Sequence, residues 1–471
     1  MITRDGHATS SGKRLFGTSG IRGIVGEDLT IDLCHGIGKA LGTSLAPQSE
    51  VCLATDTRQS RELIKAAVMD GLLSTGITVV DLGILPTPAL ALLTREMRFA
   101  TGIMLTASHN PPQYNGIKLF GSDATGYSQA QEREIERLYF AGKFRQGSGT
   151  QKRIYNARET YFSLIKDMLP HSRINHELKI VVDPGNGAAS GFASYIFSRM
   201  GINTITLNNE PDGLFPGRSP EPNEDTLQGT VEFLRQQNAD LAICFDGDAD
   251  RVVFCDSEGF LGLNEMNAYI SRLMVERTGN KKVATTVETG KLLELAIEDL
   301  GGEVVRGRVG DVPVAYLARD IDAALGVEGV GVYIFPEMGY YPDSIFAALL
   351  LLSHLDHPRQ IRDFFQSLPS LYFAKTRVPC PDNLKAMVMS RLGESSVTLK
   401  ITDEQPVINN IDGLRLEFDQ SWILIRPSGT EPVIRIMAES TSESQTDKHL
   451  ERGKGLVLCQ LHLLRQEKVD Y

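Results

Sequence analysis

Three stretches of this chain repeat one order of positions: a short apolar run, a loop of Gly, Thr, Asp or Asn, then apolar residues at helical spacing. The first is VCLATDTRQSRELIKAAVMDGL from Val51. The second is LKIVVDPGNGAASGFASYIFSRMG from Leu178, and the third is KKVATTVETGKLLELAIEDLGG from Lys281. A second short β pattern follows each, which predicts a βαβ unit. Repeats roughly 100 to 130 residues apart are too widely spaced for a solenoid and predict related domains in tandem. Past Tyr372 the texture changes to VTLKITDE, LRLEFDQSWILIR and VIRIMAES. These are strand-like runs joined by polar turns and closed by a helical pattern from Asp447.

The fold expected is α/β: three tandem related α/β domains with mixed sheets, plus a smaller C-terminal α+β domain, around a central cleft. The polar segment GKFRQGSGTQKR and the turn DSEG at Asp256 to Gly259 mark two boundaries. The domains expected are therefore 1–150, 151–257, 258–372 and 373–471.

Length supports this division, since 471 residues exceed what one hydrophobic core usually holds. An apolar share of 42% with 23% charged residues is the balance of a folded globular chain. A net charge of -11 argues against nucleic-acid or anionic-membrane partners, which demand a basic footprint. If the ligand is an anion, the positive charge must be local, inside particular loops. Six cysteines without a C-x-x-C pair fit neither a disulfide framework nor a zinc site, so a cytoplasmic location is expected. The opening MITRDGHATSSGKR has no apolar stretch behind its basic residues and reads as a loose leader. The longest apolar run, Ile345 to Leu352, is about half of a bilayer crossing and predicts a buried helix.

Four loops could carry chemistry. In MLTASHNPPQYNGIKLF, a strand-like run delivers Thr106, Ser108, His109 and Asn110 into a loop that Pro111 and Pro112 keep from continuing as strand or helix. Ser108 is displayed on a constrained turn, although Ser, Asn and Pro also favour turns for local reasons. A serine-hydrolase reading lacks the G-x-S-x-G elbow, and neighbouring side chains such as Ser108 and His109 are expected to diverge. In LAICFDGDADRVVF, the alternation of Asp246, Asp248 and Asp250 points three carboxylates the same way on an extended segment. Such carboxylates repel unless a cation neutralises them, and oxygen ligands favour Mg²⁺ over zinc. An EF-hand is excluded, because Arg251 stands where its loop needs Gly and Ser257 where it needs Glu. The alternative is a polar turn after a buried strand.

In WILIRPSGTEPVIRI, Arg426, Ser428, Gly429 and Thr430 offer a guanidinium fork, hydroxyls and accessible amides, the groups a phosphate dianion needs; an ordinary hairpin loop is the alternative. The fourth loop, FGTSGIRG, adds Thr18, Ser19 and Arg22 and counts only in company. No Walker A motif exists: Thr289-Gly290-Lys291 is followed by Leu292. Taken together, an exposed serine, a carboxylate triplet and a phosphate cradle describe phosphoryl transfer with a phosphoserine relay.

The runs GTSGIRG, TASHNP, DGDADR and RPSGTEP occur in an order that resembles the α-D-phosphohexomutases, over all four expected domains. That family includes phosphomannomutase/phosphoglucomutase and phosphoglucosamine mutase. The resemblance implies a mutase interconverting 1-phospho and 6-phospho sugars, with phosphomannomutase/phosphoglucomutase as the first reading and phosphoglucosamine mutase as the alternative. Ser108 resembles the phosphoserine, and Asp246, Asp248 and Asp250, with phosphoserine oxygen, resemble the Mg²⁺ ligands. Lys118 resembles the general acid/base, with His109 beside the phosphoserine, while Arg22 and Arg251 would steady charge at the transferring phosphate. Arg426, Ser428, Gly429 and Thr430 resemble the loop for the non-reacting phosphate. A hexose 1,6-bisphosphate would prime the enzyme, hexose phosphates would be its partners, and it would be a monomer or homodimer.

One departure concerns the sugar loop, G-E-x-S-G-H or G-E-E-N-G-G in the family, which here reads GVEGVGVYIFPE from Gly326. Glu328 matches the sugar-binding acid. Val330 stands where Ser or Asn would bond a hydroxyl, and Val332 where some members have His, which could relax discrimination among hexoses. The EENGG-like alignment and GRVGDVP at Gly307 to Pro313 resemble archaeal members. Two readings from other classes stay open. One is a haloacid-dehalogenase-type phosphatase with an aspartyl nucleophile, although Asp250 stands where its motif prefers Thr or Val. The other is a non-catalytic sugar-bisphosphate-binding paralogue.

Overall fold

Each repeated apolar run is a strand buried along its length, and each forms a parallel pair with the strand after the next helix. The structure is a computed structural model and describes residues 14–17, 19–169, 174–393, 406–429 and 431–467. The leader, Thr18, the VTLKITDE run and Thr430 lie outside the described residues.

The first sheet holds β1 (Ile21–Ile24), β2 (Glu50–Thr55), β3 (Thr78–Ile84), β4 (Thr101–Leu105), β5 (Tyr114–Gly121) and β6 (Gln151–Arg153), in the order β1-β5-β4-β2-β3-β6. The second holds β7 (Lys179–Asp183), β8 (Asn203–Thr206), β9 (Leu241–Phe245), β10 (Val252–Asp256) and β11 (Gly259–Phe260), in the order β11-β10-β9-β7-β8. The third holds β12 (Lys282–Thr286), β13 (Glu303–Gly307), β14 (Leu325–Glu328) and β15 (Val332–Ile334), in the order β13-β12-β14-β15. The parallel pairs β2/β3, β7/β8 and β12/β13 are the three predicted βαβ units, and antiparallel β5, β10 and β15 make all three sheets mixed.

The fourth sheet is antiparallel throughout, in the order β16-β20-β19-β18-β17, from β16 (Tyr372–Pro379), β17 (Val407–Asn409), β18 (Leu414–Glu417), β19 (Ser421–Pro427) and β20 (Val433–Ser440). Alternation sends Val378, Ile423, Ile425, Ile434 and Ile436 to one face, where they form a core with Leu384, Val388 and Leu461 of two helices, Asp382–Gly393 and Glu443–Glu467. The other face sends Trp422, Leu424 and Met437 against Val287. Arg415, fully buried, lies 4.0 Å from the Trp422 ring and donates to the Val287 carbonyl at 2.7 Å. Lys291, from the Thr-Gly-Lys run, donates through Nζ to the carbonyls of Phe418 and Asp419, so that run fastens the turn between β18 and β19.

The chain resolves into two compact units: residues 1–260 with 337–353, and residues 261–336 with 354–471. The apolar run at Ile345 to Leu352 is the helix Ser344–Leu352, buried at every position, as expected. Among the described residues no helix is long and apolar enough to cross a membrane.

The helix Ser344–Leu352 begins at Asp343, whose Oδ1 accepts the Phe346 N–H at 2.9 Å, while the Tyr161 hydroxyl lies 2.9 and 2.8 Å from its two oxygens. Burial pushes the Asp343 carboxyl up to about 6, against the opposing pull of those hydrogen bonds. A folded carboxyl raised above its unfolded value of 3.8 stabilises the fold fully below that value and loses this contribution as pH rises through about 6. Asp343→Asn keeps a cap of equal rank without titrating. Its stability relative to the parent chain is expected to rise by roughly 1 kcal/mol or more between pH 5 and pH 8. Denaturant unfolding at the two pH values checks this, and a difference that does not change with pH refutes it.

Candidate active site

The buried strand β4 ends at Leu105, and the chain turns back through Thr106 to Gln113 into β5. Ser108 sits in that turn at φ 51°, a left-handed conformation that a non-glycine residue holds only when its surroundings insist. Here they do. The Ser108 N–H donates to Thr106 Oγ1 at 2.8 Å, and that hydroxyl donates to Asp56 Oδ2 at 2.7 Å. Arg58, fully buried, spends all five of its N–H donors locally. Nε goes to Asp56 Oδ2 at 3.0 Å, Nη1 to the carbonyls of Pro111 and Tyr114 at 2.6 and 2.9 Å, and Nη2 to those of Ser108 and Asn110 at 2.8 and 2.6 Å. A Cβ at Gly247 would fall 2.3 Å from the Ser108 carbonyl oxygen, so only glycine lets the two loops meet.

The Ser108 hydroxyl donates to Asp246 Oδ2 at 2.7 Å and lies 3.3 Å from His109 Nδ1. The expected divergence of Ser108 and His109 is thus corrected, because opposed side chains belong to extended backbone and Ser108 is left-handed. Burial, reinforced by the guanidinium charges of Arg251 and Arg22, holds the His109 imidazole down to about 3, hence neutral. Its Nε2 stands 3.5 Å from Glu221, which also lies 3.4 Å from Arg251 Nη1, and Arg22 Nη1 donates to Asn110 Oδ1 at 3.2 Å.

Asp246, Asp248 and Asp250 each present a carboxylate oxygen within 4.8 Å of the others, in buried surroundings. They converge through a turn with Ala249 at φ 57°, and the extended segment expected from their alternation is corrected on that point. Part of their charge is met by Lys118, whose Nζ donates to Asp248 Oδ2 and Asp250 Oδ2 at 2.7 Å each. Thr87 Oγ1 donates to Asp248 Oδ2 at 2.6 Å, and the Tyr341 hydroxyl lies 3.2 Å from Asp250 Oδ2. Asp248 Oδ1 and Asp250 Oδ1 remain buried without a hydrogen-bond partner among the described residues. Burial and the neighbouring Asp250 and Asp248 raise the Asp246 carboxyl well above its ordinary range. Burial pushes Asp248 the same way, but Lys118 overrides it and brings that carboxyl down to about 2. Bare buried carboxylate oxygens in an all-oxygen set fit a hard divalent cation such as Mg²⁺.

In the second unit, Glu328 ends β14, and its Oε1 accepts the Gly310 N–H at 2.8 Å. Val330 stands at the tip of the β14–β15 turn, 40% exposed, whereas Val332 is buried. The RPSG turn joins β19 to β20, as expected. Arg426 lies 3.0 Å from Asp412 Oδ2 and 3.2 Å from Glu288 Oε1, and Asp412 Oδ2 also accepts the Val309 N–H at 3.0 Å. Ser428 Oγ accepts the Glu431 N–H at 3.1 Å, and open space surrounds the position a Cβ would take on Gly429. Beside this turn Lys375, Arg377, Glu431 and Arg435 line a cavity of about 470 Å³.

Ser108, His109, Lys118, Arg22, Arg251 and the three aspartates therefore gather in the first unit, and Glu328, Arg426, Ser428 and Gly429 lie in the second. Sequence reasoning missed Asp56, Arg58, Thr87, Glu221 and Tyr341. Asp-Thr-Arg closing the first repeat's strand was the available signal for the first two, matched by Asp183 closing the second.

Four models of the phosphoglucomutase/phosphomannomutase family match: the alpha/beta/alpha domain I over residues 13–146, domain II over 159–259, domain III over 264–372, and the C-terminal domain over 376–452. A probable phosphoglucosamine mutase from Thermococcus gammatolerans is 39% identical over 449 residues, 94% of this chain and 98% of its own length. A phosphoglucomutase/phosphomannomutase family protein from Burkholderia thailandensis superposes with TM-score 0.82 at 26% identity, over 95% of this chain and 97% of its own. The N-acetylphosphoglucosamine mutase of Aspergillus fumigatus, solved with GlcNAc-6P and magnesium, shares the fold at TM-score 0.58 and 14% identity, over 95% of this chain and 96% of its own.

Proposed function

The chain belongs to the phosphoglucomutase/phosphomannomutase family, whose members are isomerases that move a phosphoryl group on a sugar, and from that premise we propose that it is a phosphoglucosamine mutase. The reaction proposed interconverts glucosamine 6-phosphate and glucosamine 1-phosphate through phosphorylated Ser108 and a 1,6-bisphosphate. The observation that carries the phosphoryl-transfer reading is the Ser108 hydroxyl 2.7 Å from Asp246, beside two aspartates with bare buried oxygens. The amino sugar is favoured by the likeness to the Thermococcus chain.

In the first half-reaction the phosphorus–oxygen bond of phosphoserine breaks as one forms to the sugar O1, and the O1 proton leaves to a base. In the second, Ser108 recovers the phosphoryl group from O6, and O6 takes up a proton. A hexose 1,6-bisphosphate would restore a lost phosphoserine. Asp246, Asp248 and Asp250, with Ser108 oxygen, would hold Mg²⁺, which supplies Lewis-acid neutralisation of phosphoryl oxygens when bound. Arg22 and Arg251 would bind the remaining phosphoryl charge, and His109, kept neutral, would accept or donate a hydrogen bond at the serine oxygen. Lys118, whose Nζ donates to two carboxylates, would act as an acid toward the leaving oxygen, and as a base only after losing its proton. Arg426, Ser428, Gly429 and Thr430 would hold the non-reacting phosphate, and Glu328 the sugar hydroxyls.

Assays with the 1-phosphates of glucosamine, glucose and mannose test the substrate. The kcat/KM for the amino sugar is expected to exceed the others by about tenfold, the scale of one net hydrogen bond. Equal or better use of glucose or mannose overturns the amino-sugar reading in favour of phosphoglucomutase/phosphomannomutase activity. Val330, which brings no polar group to the sugar turn, would narrow the preference among the three sugars.

A further inference from the structure

We infer that the hydroxyls of Tyr341 and Thr87 are positioning groups that choose which oxygen of Asp250 and of Asp248 faces the cation. The inference rests on the metal reading proposed above. Each of these aspartates has its two oxygens in opposite circumstances. On Asp248, Oδ2 receives Thr87 Oγ1 at 2.6 Å and Lys118 Nζ at 2.7 Å, while Oδ1 has no hydrogen-bond partner among the described residues. On Asp250, Oδ2 receives the Tyr341 hydroxyl at 3.2 Å and Lys118 Nζ at 2.7 Å, while Oδ1 has no hydrogen-bond partner among the described residues and lies 4.0 Å from Arg251 Nε. A carboxylate with two donors on one oxygen is fixed about its terminal torsion and offers the other oxygen to whatever cation arrives. Lysine alone would leave that torsion loose, because one ammonium shared by two carboxylates follows either of them.

The backbone around Tyr341 supports a placed hydroxyl. Gly339 and Tyr340 precede it at φ 108° and 58°, the second a strained value for an aromatic residue. The Tyr341 ring meets Phe120 edge-on at 4.7 Å, two residues along β5 from Lys118 and so on the same face of that strand. Ser344 Oγ donates to the Ala249 carbonyl at 2.6 Å, which bolts the same segment to the aspartate turn. Thr87 is fixed from two sides, since its N–H also donates to the Asp248 carbonyl at 2.9 Å.

The test is Mn²⁺ titration of the chain freed of phosphate, followed by electron paramagnetic resonance of the free ion. Groups that orient metal ligands typically change affinity by about 10–100-fold, so Tyr341→Phe and Thr87→Val are each expected to weaken Mn²⁺ binding about tenfold. Thr87→Ser keeps the hydroxyl and is expected to keep the parent affinity. The KM for sugar phosphate at saturating Mg²⁺ is expected to stay within about twofold, because these hydroxyls act on the ligand oxygens and not on the sugar. Parent chain that binds Mn²⁺ while Tyr341→Phe and Thr87→Val bind it within about twofold of parent overturns this inference alone. Parent chain that takes up no Mn²⁺ overturns the metal reading, and this inference with it.

Discussion

Ser108→Ala is expected to lower mutase turnover by roughly 10⁶-fold, the scale seen when a covalent nucleophile is removed. Thr106 Oγ1, the other hydroxyl of the turn, is committed to Asp56. The fold is expected to survive, because what holds the left-handed turn is bonded to the backbone, namely Arg58 to the Ser108 carbonyl and Thr106 to the Ser108 N–H. Alanine at φ 51° is strained no more than serine, and Asp246, already displaced toward its neutral form by burial and its neighbours, can lose one donor by keeping a proton. Steady-state assay and intact-mass analysis check both halves, with phosphate expected on the parent chain and none on the variant. Near-normal turnover in the variant defeats the relay. Phosphate on an aspartate instead would move the chain to the haloacid-dehalogenase-type reading.

Much of this arrangement was legible in the sequence because it is local. The three strand–loop–helix repeats gave parallel pairs where apolar runs predicted them, and the RPSG run became a turn between two antiparallel strands. The aspartate triplet was legible as chemistry but not as geometry, since alternation assumes extended backbone and the left-handed Ala249 turns the loop instead. The same assumption of extended backbone sets Ser108 and His109 apart, whereas the left-handed Ser108 brings them together. Partners distant in sequence could not be read at all. Nothing near Asp250 announces Tyr341, and nothing near Ser108 announces Arg58, because burial and tertiary approach create those bonds. Lys118 was assigned by resemblance as an acid/base group, and only its place between two carboxylates reveals that it also supplies their countercharge.

That countercharge makes Lys118→Met the variant with two separable consequences. Proton transfer by a placed side chain contributes typically about 10²–10⁴-fold, so kcat is expected to fall in that range, with KM moving little. Unchanged kcat would move the acid/base role elsewhere. Methionine also strands Asp248 and Asp250, both buried, and breaking a buried ion pair from one side costs roughly 3–5 kcal/mol. In the parent chain the Asp248 carboxyl lies at about 2, below its ordinary 3.8, and it stabilises the fold above that value and loses the contribution as pH falls toward 2. Without Lys118 the burial that was overridden takes command and the folded carboxyl rises above its unfolded value. The sign then reverses: the variant's deficit should deepen as pH rises from 5 to 8 in the presence of chelator. A divalent cation in the triplet would do what the ammonium did, so added Mg²⁺ should restore more stability to Lys118→Met than to the parent. Thermal unfolding with EDTA and with Mg²⁺ at both pH values reads this directly. A deficit indifferent to pH and to Mg²⁺ would mean that Lys118 is not the triplet's countercharge.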